Sequence, residues 1–225
     1  ELYPLTKELG SHLVVENPRT VMSIILRDLH RNQTTRGLSD AFIEERGYLR
    51  HPSAVVYDGS EIGSGTIIFE NVVVYPWVHI GTNCEIGPGS VIGDEAMSGN
   101  RTGENMIQTT HVGGVKIGDN VIIGSLAIVS RGVLKDTIIG NNTIVDHQVL
   151  VGHNCVVGKQ CLIAAQAVLT GRASIGDKVS IGANVSIGNG VHVGSGSFAG
   201  LGAVVLKNVP ENMVVVGNPD RELKN

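Results

Sequence analysis

The sequence has few aromatic residues and few cysteines for its length. Its 225 residues include one tryptophan, three phenylalanines, four tyrosines and three cysteines. An ordinary two-layer domain of this size would use more large aromatics in its core. The odd cysteine count and the lack of any Cys-x-x-Cys spacing argue against a disulfide framework and a zinc site. We therefore interpret Cys84, Cys155 and Cys161 as small core residues.

Long apolar runs and clustered basic residues are also lacking. No stretch of about 18 apolar residues exists, which excludes a transmembrane helix, and no secretory apolar region is found. The 17 Lys and Arg against 21 Asp and Glu leave a formal net charge of −4, so the basic footprint of a nucleic-acid-binding protein is missing. We expect a soluble, cytoplasmic protein.

Glycine, by contrast, is abundant, with 30 residues, and aliphatic residues recur every six positions. Runs of this period extend from Ile62 to Ile92, from Ile117 to Val129 and from Ile139 to Val205, and a small or β-branched residue stands two positions before each member of the longest run. A period of six is typical of hexapeptide repeats in a parallel β-helix. Three hexads form one coil, so residue n+18 stacks on residue n, about 4.8 Å along the axis.

The period has interruptions that predict the domain organisation. Residues 94–114 are too long for a corner and are predicted to leave the β-helix as a loop, while Arg131 to Lys135 shift the phase. We assign residues 51–220 to the β-helix and residues 221–225 to a C-terminal tail.

Residues 1–50 lack the period and are predicted to form an α-containing segment, either complete or left from a truncated sugar-nucleotide domain. Asn17-Pro18 fits a helix start. The apolar face that follows consists of Val21, Ile24, Ile25 and Leu29. Ser39 to Arg46 are predicted to form a second short helix.

One outward column of the β-helix contains residues suited to acyl transfer. Taking every third corner position gives His153, Gly171, Asn189 and Lys207, with Lys207 about 14 Å from His153. A neutral imidazole accepts a proton from an attacking amine or hydroxyl, and a glycine N–H can approach and stabilise an oxyanion. Lys207 can pair with the diphosphate of a phosphopantetheine donor.

Several motifs resemble those of the UDP-3-O-acylglucosamine N-acyltransferases of lipid A biosynthesis. They are Val14–Arg19, Val112–Val121, Ser130–Thr137, Asp146–Gln148 and Val151–Asn154. The resemblance implies an all-β, left-handed parallel β-helix and a homotrimer with sites between subunits. It also implies His153 as catalytic base, Asp146 as its orienting acid and Gly171 as the oxyanion amide.

The remaining predicted site residues bind the two substrates. The predicted acceptor-binding residues are His147, Gln148, Asn154 and His111, and the predicted donor-binding residues are Asn189, Gly200 and Lys207. We predict no metal and no bound cofactor, with acyl-CoA or acyl carrier protein as co-substrate.

Some motifs differ from the lipid A enzymes. Their N-terminal Ser-Phe-Leu-Ser-Asn-Pro motif is absent, Ala96–Asn100 replace their Gly-Phe-Gly-Phe loop, and His147 stands where they usually have Asn. Gly202–Val205 and Val216–Pro219 are instead similar to CoA-dependent sugar N-acetyltransferases. The sequence therefore favours transfer from a short acyl-CoA to a nucleotide-linked amino sugar.

Other functions remain as alternatives. The nearest are an acyl-carrier-protein-dependent UDP-3-O-acylglucosamine N-acyltransferase and a sugar O-acetyltransferase. A gamma-class carbonic anhydrase is remote, because Lys159 and Ala164 stand where that family has zinc-binding histidines. A β-helix that only binds or scaffolds is the non-catalytic alternative.

Overall fold

The computed structural model describes residue 17, residues 20–26, residues 42–218 and the backbone of residues 221–222. The chain divides into two compact units, Glu1–Phe42 and Ile43–Asn225. In the first unit, helix α1 spans residues 20–26. Asn17 caps it as predicted, because its Oδ1 accepts a hydrogen bond of 3.1 Å from the Thr20 N–H. Leu29, from the predicted apolar face, lies outside the described residues.

The second unit is a three-sided solenoid of very short strands. Sheet A contains, in spatial order, β1 (Ile43–Glu45), β2 (Tyr48–Arg50), β5 (Ile67–Ile68), β8 (Glu85–Ile86), β13 (Ile122–Ile123), β16 (Ile144–Val145), β19 (Leu162–Ile163), β22 (Ser180–Ile181), β25 (Phe198–Ala199), β27 (Val214–Val216) and β28 (Arg221–Glu222). Sheet B contains β3 (Val55–Val56), β6 (Val73–Val74), β9 (Val91–Ile92), β14 (Ile128–Val129), β17 (Leu150–Val151), β20 (Val168–Leu169), β23 (Ser186–Ile187) and β26 (Val204–Val205). Sheet C contains β4 (Glu61–Ile62), β7 (Val78–Ile80), β12 (Val115–Ile117), β15 (Thr137–Ile139), β18 (Val156–Val157), β21 (Ser174–Ile175) and β24 (His192–Val193).

The register confirms the predicted coil of 18 residues. Val151 pairs with Leu169, and Leu169 pairs with Ile187, each in parallel. The chain passes from sheet B to sheet C to sheet A in each coil, through about nine turns, and the fold matches a left-handed β-helix.

Inward aliphatic side chains form the core, and the corners use the left-handed backbone conformation. Val151 and Leu169 are fully buried, as are almost all their counterparts in other coils. Corner residues such as Asn142 and Gln160 have φ of 58° and 56°. The three cysteines are buried, as expected, and burial raises the pKa of Cys155 to about 11.

The predicted loop leaves the β-helix as an antiparallel hairpin. Its strands are β10 (Gly99–Thr102) and β11 (Asn105–Gln108), and it departs where the chain crosses from sheet B to sheet C. The phase shift at Arg131 to Lys135 occurs at the same edge, between β14 and β15. We call it the B/C edge. No helix in the described part of the chain is long and apolar enough to cross a membrane.

The prediction of a second helix is wrong over its described part. β1 pairs with β2 in a tight hairpin whose turn holds Arg46 and Gly47 at φ of 50° and 87°. β2 then joins sheet A beside β5, and the Tyr48 side chain is buried. Pairing with the first coil therefore overrides the local helical pattern, because it satisfies the open strand edge.

Candidate active site at the B/C edge

His153 lies at the B/C edge, two residues after the inward Val151 of β17. The parallel pairing of β17 with β20 sets Gly171 directly on the next coil. A Cβ at position 171 would lie 2.7 Å from the His153 Cε1 and still closer to Nε2. Only glycine therefore leaves room for this imidazole, and the structure brings the two predicted residues together.

The Gly171 N–H has no hydrogen-bond acceptor within the described residues. The Gly171 carbonyl, by contrast, accepts a hydrogen bond of 3.0 Å from the Gly190 N–H. Few buried backbone donors remain unpaired. Because His153 Nε2 lies against the same residue, an imidazole nitrogen and an unpaired backbone N–H lie side by side.

Asn154 fixes the tautomer of His153. Its Nδ2 donates to the Lys135 carbonyl at 2.8 Å, and its Oδ1 accepts from the Val133 N–H at 3.0 Å, so the orientation of the amide is determined. The same Oδ1 lies 3.1 Å from His153 Nδ1. Nδ1 must then donate, so in the neutral ring the lone pair lies on Nε2. Asn154, which we predicted to contact the acceptor, thus also orients the His153 ring.

His111 packs against His153 from the base of the hairpin. The ring centroids lie 5.4 Å apart with planes at 47°, and His111 is only 1% exposed. Its Nδ1 accepts the Ala96 N–H at 3.2 Å, so Nε2 carries the proton, yet Nε2 has no partner within the described residues. Burial, and then the neighbouring His153, lower the pKa of His111 and favour the neutral ring.

A cleft of about 430 Å³ opens beside His153 and is closed on one side by the hairpin. It is lined by Ser98, Asn100, Thr109, Val133, Leu134, Lys135, His153, Asn154 and Arg172. Lys135, Arg172 and the hairpin side chains were not predicted from the sequence. Only Arg172, next to Gly171 in the chain, could have been found from the column.

The Asp146 group lies at a different edge of the same chain. Asp146, His147 and Gln148 follow β16, where the chain crosses from sheet A to sheet B. Asp146 Oδ1 accepts the His147 N–H at 2.7 Å and lies 3.6 Å from His147 Nε2. His147 Nδ1 accepts the Ser125 N–H at 2.8 Å. Within one chain, therefore, Asn154 rather than Asp146 contacts the His153 imidazole among the described residues.

The predicted donor residues divide between two edges. Asn189 and Lys207 continue the His153 column along the B/C edge and are exposed. Gly200 follows β25 at the A/B edge, is buried, and donates its N–H to the Val215 carbonyl. Within the described residues, no three His, Cys, Asp or Glu side chains are grouped as a metal site would require.

Parts of the chain are similar in sequence to known transferases. Residues 59–94 and 136–171 match the bacterial transferase hexapeptide family (six repeats). The UDP-3-O-acylglucosamine N-acyltransferase of Paracidovorax citrulli is 36% identical over 85 residues, which cover 38% of this chain and 26% of the relative. The enzyme of the same name from Chromohalobacter salexigens is 39% identical over 72 residues, or 32% of this chain and 21% of the relative. The matched region thus spans about a quarter of these relatives.

Solved structures share the fold over more of the chain. The UDP-N-acetylglucosamine O-acyltransferase of Moraxella catarrhalis superposes with a TM-score of 0.67 at 24% identity, covering 80% of this chain and 73% of that one. The UDP-N-acetylglucosamine acyltransferase of Francisella novicida gives 0.66 at 25%, covering 80% and 69%. The chain therefore has the left-handed β-helix fold of these solved structures, and two of its segments match the hexapeptide transferase family.

Proposed function

We propose that this chain is an N-acyltransferase that moves an acyl group from a phosphopantetheine thioester to the amine of a nucleotide-linked amino sugar. The observation that carries the proposal is that His153 Nε2, which bears the lone pair of the neutral ring, lies beside the unpaired N–H of Gly171. The names of the related N-acyltransferases support the same reaction class.

The chemistry needs these two groups and the two substrates. His153 Nε2 takes a proton from the amine as its nitrogen attacks the thioester carbon. The negative charge that develops on the carbonyl oxygen is stabilised by the Gly171 N–H. Collapse of the tetrahedral intermediate forms the amide, breaks the C–S bond, and returns the proton from the imidazolium to the leaving thiolate.

The charges along the B/C edge suit an anionic donor. Lys135 and Arg172 line the cleft beside His153, and Lys207 lies three coils further on, about 14 Å away. A pantetheine arm can run along this edge with its diphosphate near Lys207. We propose that the donor is a short acyl-CoA rather than an acyl carrier protein, and that the reaction takes place in the cytoplasm.

We further propose a homotrimer that completes the site. The outward positions of sheet B are aliphatic in seven of eight strands, and this apolar face ends at the B/C edge. These positions are Val55, Val73, Val91, Ile128, Leu150, Val168, Ser186 and Val204. Burying them against a second copy would bring a partner subunit to the open side of His153. Leu150→Glu is expected to give monomers by light scattering and to abolish transfer, and a trimeric, active variant would contradict this assembly.

The test of function is direct. Acetyl-CoA, longer acyl-CoAs and acyl carrier protein thioesters are incubated with UDP- and dTDP-linked amino sugars, and products are identified by mass spectrometry. His153→Ala should lower kcat by about 10²- to 10⁴-fold, the usual contribution of a general base. His192→Ala, an exposed histidine on sheet C, is the matched control. An unchanged kcat for His153→Ala would refute the proposal.

Transfer to a sugar hydroxyl is the second candidate. An imidazole base serves a hydroxyl as well as an amine, and the Francisella relative is named for acylation of UDP-N-acetylglucosamine, whose amine is already acylated. Incubation with matched amino and hydroxy sugars separates the two. Product on the hydroxy sugar alone would establish O-acylation, and failure to bind any CoA would favour a non-catalytic β-helix.

A further inference from the structure

Three of the eight aromatic residues lie together on the B/C edge, on the N-terminal side of the candidate active site. Tyr57 and Tyr75 stack with centroids 5.4 Å apart and planes at 23°. The guanidinium carbon of Arg131 lies 5.1 Å from the Trp77 ring centroid and 5.9 Å from that of Tyr75. Trp77 is 55% exposed and Tyr57 47% exposed. The cluster is therefore not core packing.

The backbone of Trp77 is an outlier for its residue type. Its φ is +63°, a conformation that asparagine and glutamine adopt at most other corners of this solenoid. Bulky side chains rarely adopt it, and such residues concentrate at functional sites. Leu126, with φ of +59°, is the other large apolar residue in this conformation among the described residues. Leu126 lies between β13 and β14, at a different edge of the β-helix from Trp77, and so provides a comparison.

A cleft of about 470 Å³ adjoins these rings. It is lined by Tyr75, Pro76, Trp77, Gly93, Asp94, Glu95 and Arg131. The guanidinium is fixed, because Nε donates to the Gly93 carbonyl at 2.5 Å and Nη2 to the Pro76 carbonyl at 3.0 Å. Arg131 is 7% exposed and forms no ion pair with the described carboxylates.

The chemistry of this cleft matches a nucleobase. Aromatic faces and guanidinium planes are the groups on which bases stack. The carboxylates of Asp94 and Glu95 can accept the N–H groups of a base edge, and they disfavour a phosphate inside the cleft itself. The register sets Trp77 three coils, about 14 Å, from His153 along one edge. His111 connects the two regions, since its Nδ1 accepts the N–H of Ala96, the neighbour of Glu95.

We propose that this cleft binds the base of the nucleotide-linked sugar while the sugar amine lies at His153. This assignment rests on the proposed function and names the subsite that would select the nucleotide. The acceptor then occupies the B/C edge before His153, and the acyl donor occupies the edge beyond it.

Trp77 is the only tryptophan in the chain, so its fluorescence reports on this cleft. The full chain, as the His153→Ala variant to prevent turnover, is titrated with uridine, thymidine and adenosine, and with ribose and N-acetylglucosamine as controls. We expect saturable quenching by at least one nucleoside and none by the sugars. Quenching by sugars alone, or by no compound, would overturn the assignment. So would emission that acrylamide fails to quench, since a second copy would then cover the cleft.

A pair of variants tests the role in catalysis. Trp77→Asn removes the ring and supplies a residue that suits the backbone, and Leu126→Asn makes the same change away from the cleft. Trp77→Asn should raise KM for the nucleotide sugar by about tenfold or more with little change in kcat, which is the effect expected from losing one base stack. Leu126→Asn should leave KM unchanged, and thermal unfolding checks that both variants fold.

The outcomes separate this inference from the proposed function. If nucleosides quench Trp77 but no nucleotide sugar is acylated, the base subsite stands and the acyltransferase proposal fails. If sugars are acylated and Trp77→Asn leaves KM unchanged, the function stands and the base subsite fails.

Discussion

Replacing Gly171 by alanine would displace the His153 imidazole but keep the backbone N–H of residue 171. The variant therefore tests the position of the imidazole separately from the proposed oxyanion donor. The backbone itself should accept the change. Ala165 and Ala183 occupy the equivalent corner position of neighbouring hexads at the A/B edge. The cost at position 171 therefore comes from the imidazole alone.

The structure gives the size of the effect. The new Cβ would lie 2.7 Å from the imidazole Cε1 and 2.9 Å from Cδ2, whereas carbon atoms in contact lie about 3.5–4.0 Å apart. The ring must move by about 1 Å, which strains its rotamer by about 0.5–1.5 kcal/mol. A 1 Å misplacement of a catalytic group lowers the rate by about a hundredfold. We expect a large loss of kcat with a small loss of stability.

Steady-state kinetics and thermal unfolding of Gly171→Ala measure both quantities. Ala183→Gly is the matched control and should retain kcat. In a His153→Ala background the clash is absent, so Gly171→Ala should then cost no stability. Retention of more than half of kcat by Gly171→Ala would refute the reasoning, and so would an equal stability cost in both backgrounds.

Two further predictions concern the residues around His153. Asn154→Leu should lower kcat with little change in KM, and it should destabilise the fold by about 1–3 kcal/mol because the Val133 N–H and the Lys135 carbonyl lose their partner. Asn154→Asp keeps an acceptor for the Val133 N–H and for the His153 Nδ1–H, and it should retain most of kcat. Equal losses of kcat in the two variants would contradict the tautomer argument. The pKa of His111 lies below its ordinary value of 6.5, so the folded state binds a proton at this ring less readily than the unfolded state does. The contribution of His111 to the free energy of unfolding should therefore be fully present above pH 6.5 and decrease as the pH falls toward the lowered pKa. His111→Phe removes this dependence, and urea unfolding at pH 5 and pH 7.5 should show a smaller difference for the variant; equal differences would show that His111 does not titrate in this way.

The period of six was sufficient to predict the solenoid and its register. Each inward aliphatic residue must fill the same narrow interior, so every coil repeats the same pattern. The pattern can therefore be recognised in the sequence without knowledge of which residues are in contact. The same argument located the hairpin insertion, because 21 residues cannot form a corner. It does not apply to Ser39 to Arg46, which lack the period, and there Ile43–Glu45 form a strand by pairing with β2 beside the first coil.

The candidate site could be predicted only where it follows the column. His153 and Gly171 are 18 residues apart, so their contact follows from the repeat. The roles of Asn154 and His111 could not be predicted in this way. They depend on how the segment 131–136 and the hairpin fold back onto the edge, and neither insertion obeys the period.

The sequence by itself determined the β-helix, its 18-residue coil, and the stacking of Gly171 on His153, because a strict repeat converts sequence distance into axial distance. Only the tertiary structure decided which His153 nitrogen is free and that His111 is buried beside it. It also decided that Trp77, Tyr75 and Arg131 form one cleft. These features lie at the B/C edge, where the hairpin and the segment 131–136 interrupt the repeat. Their side chains are positioned by contacts between coils, and the period of six does not predict those contacts.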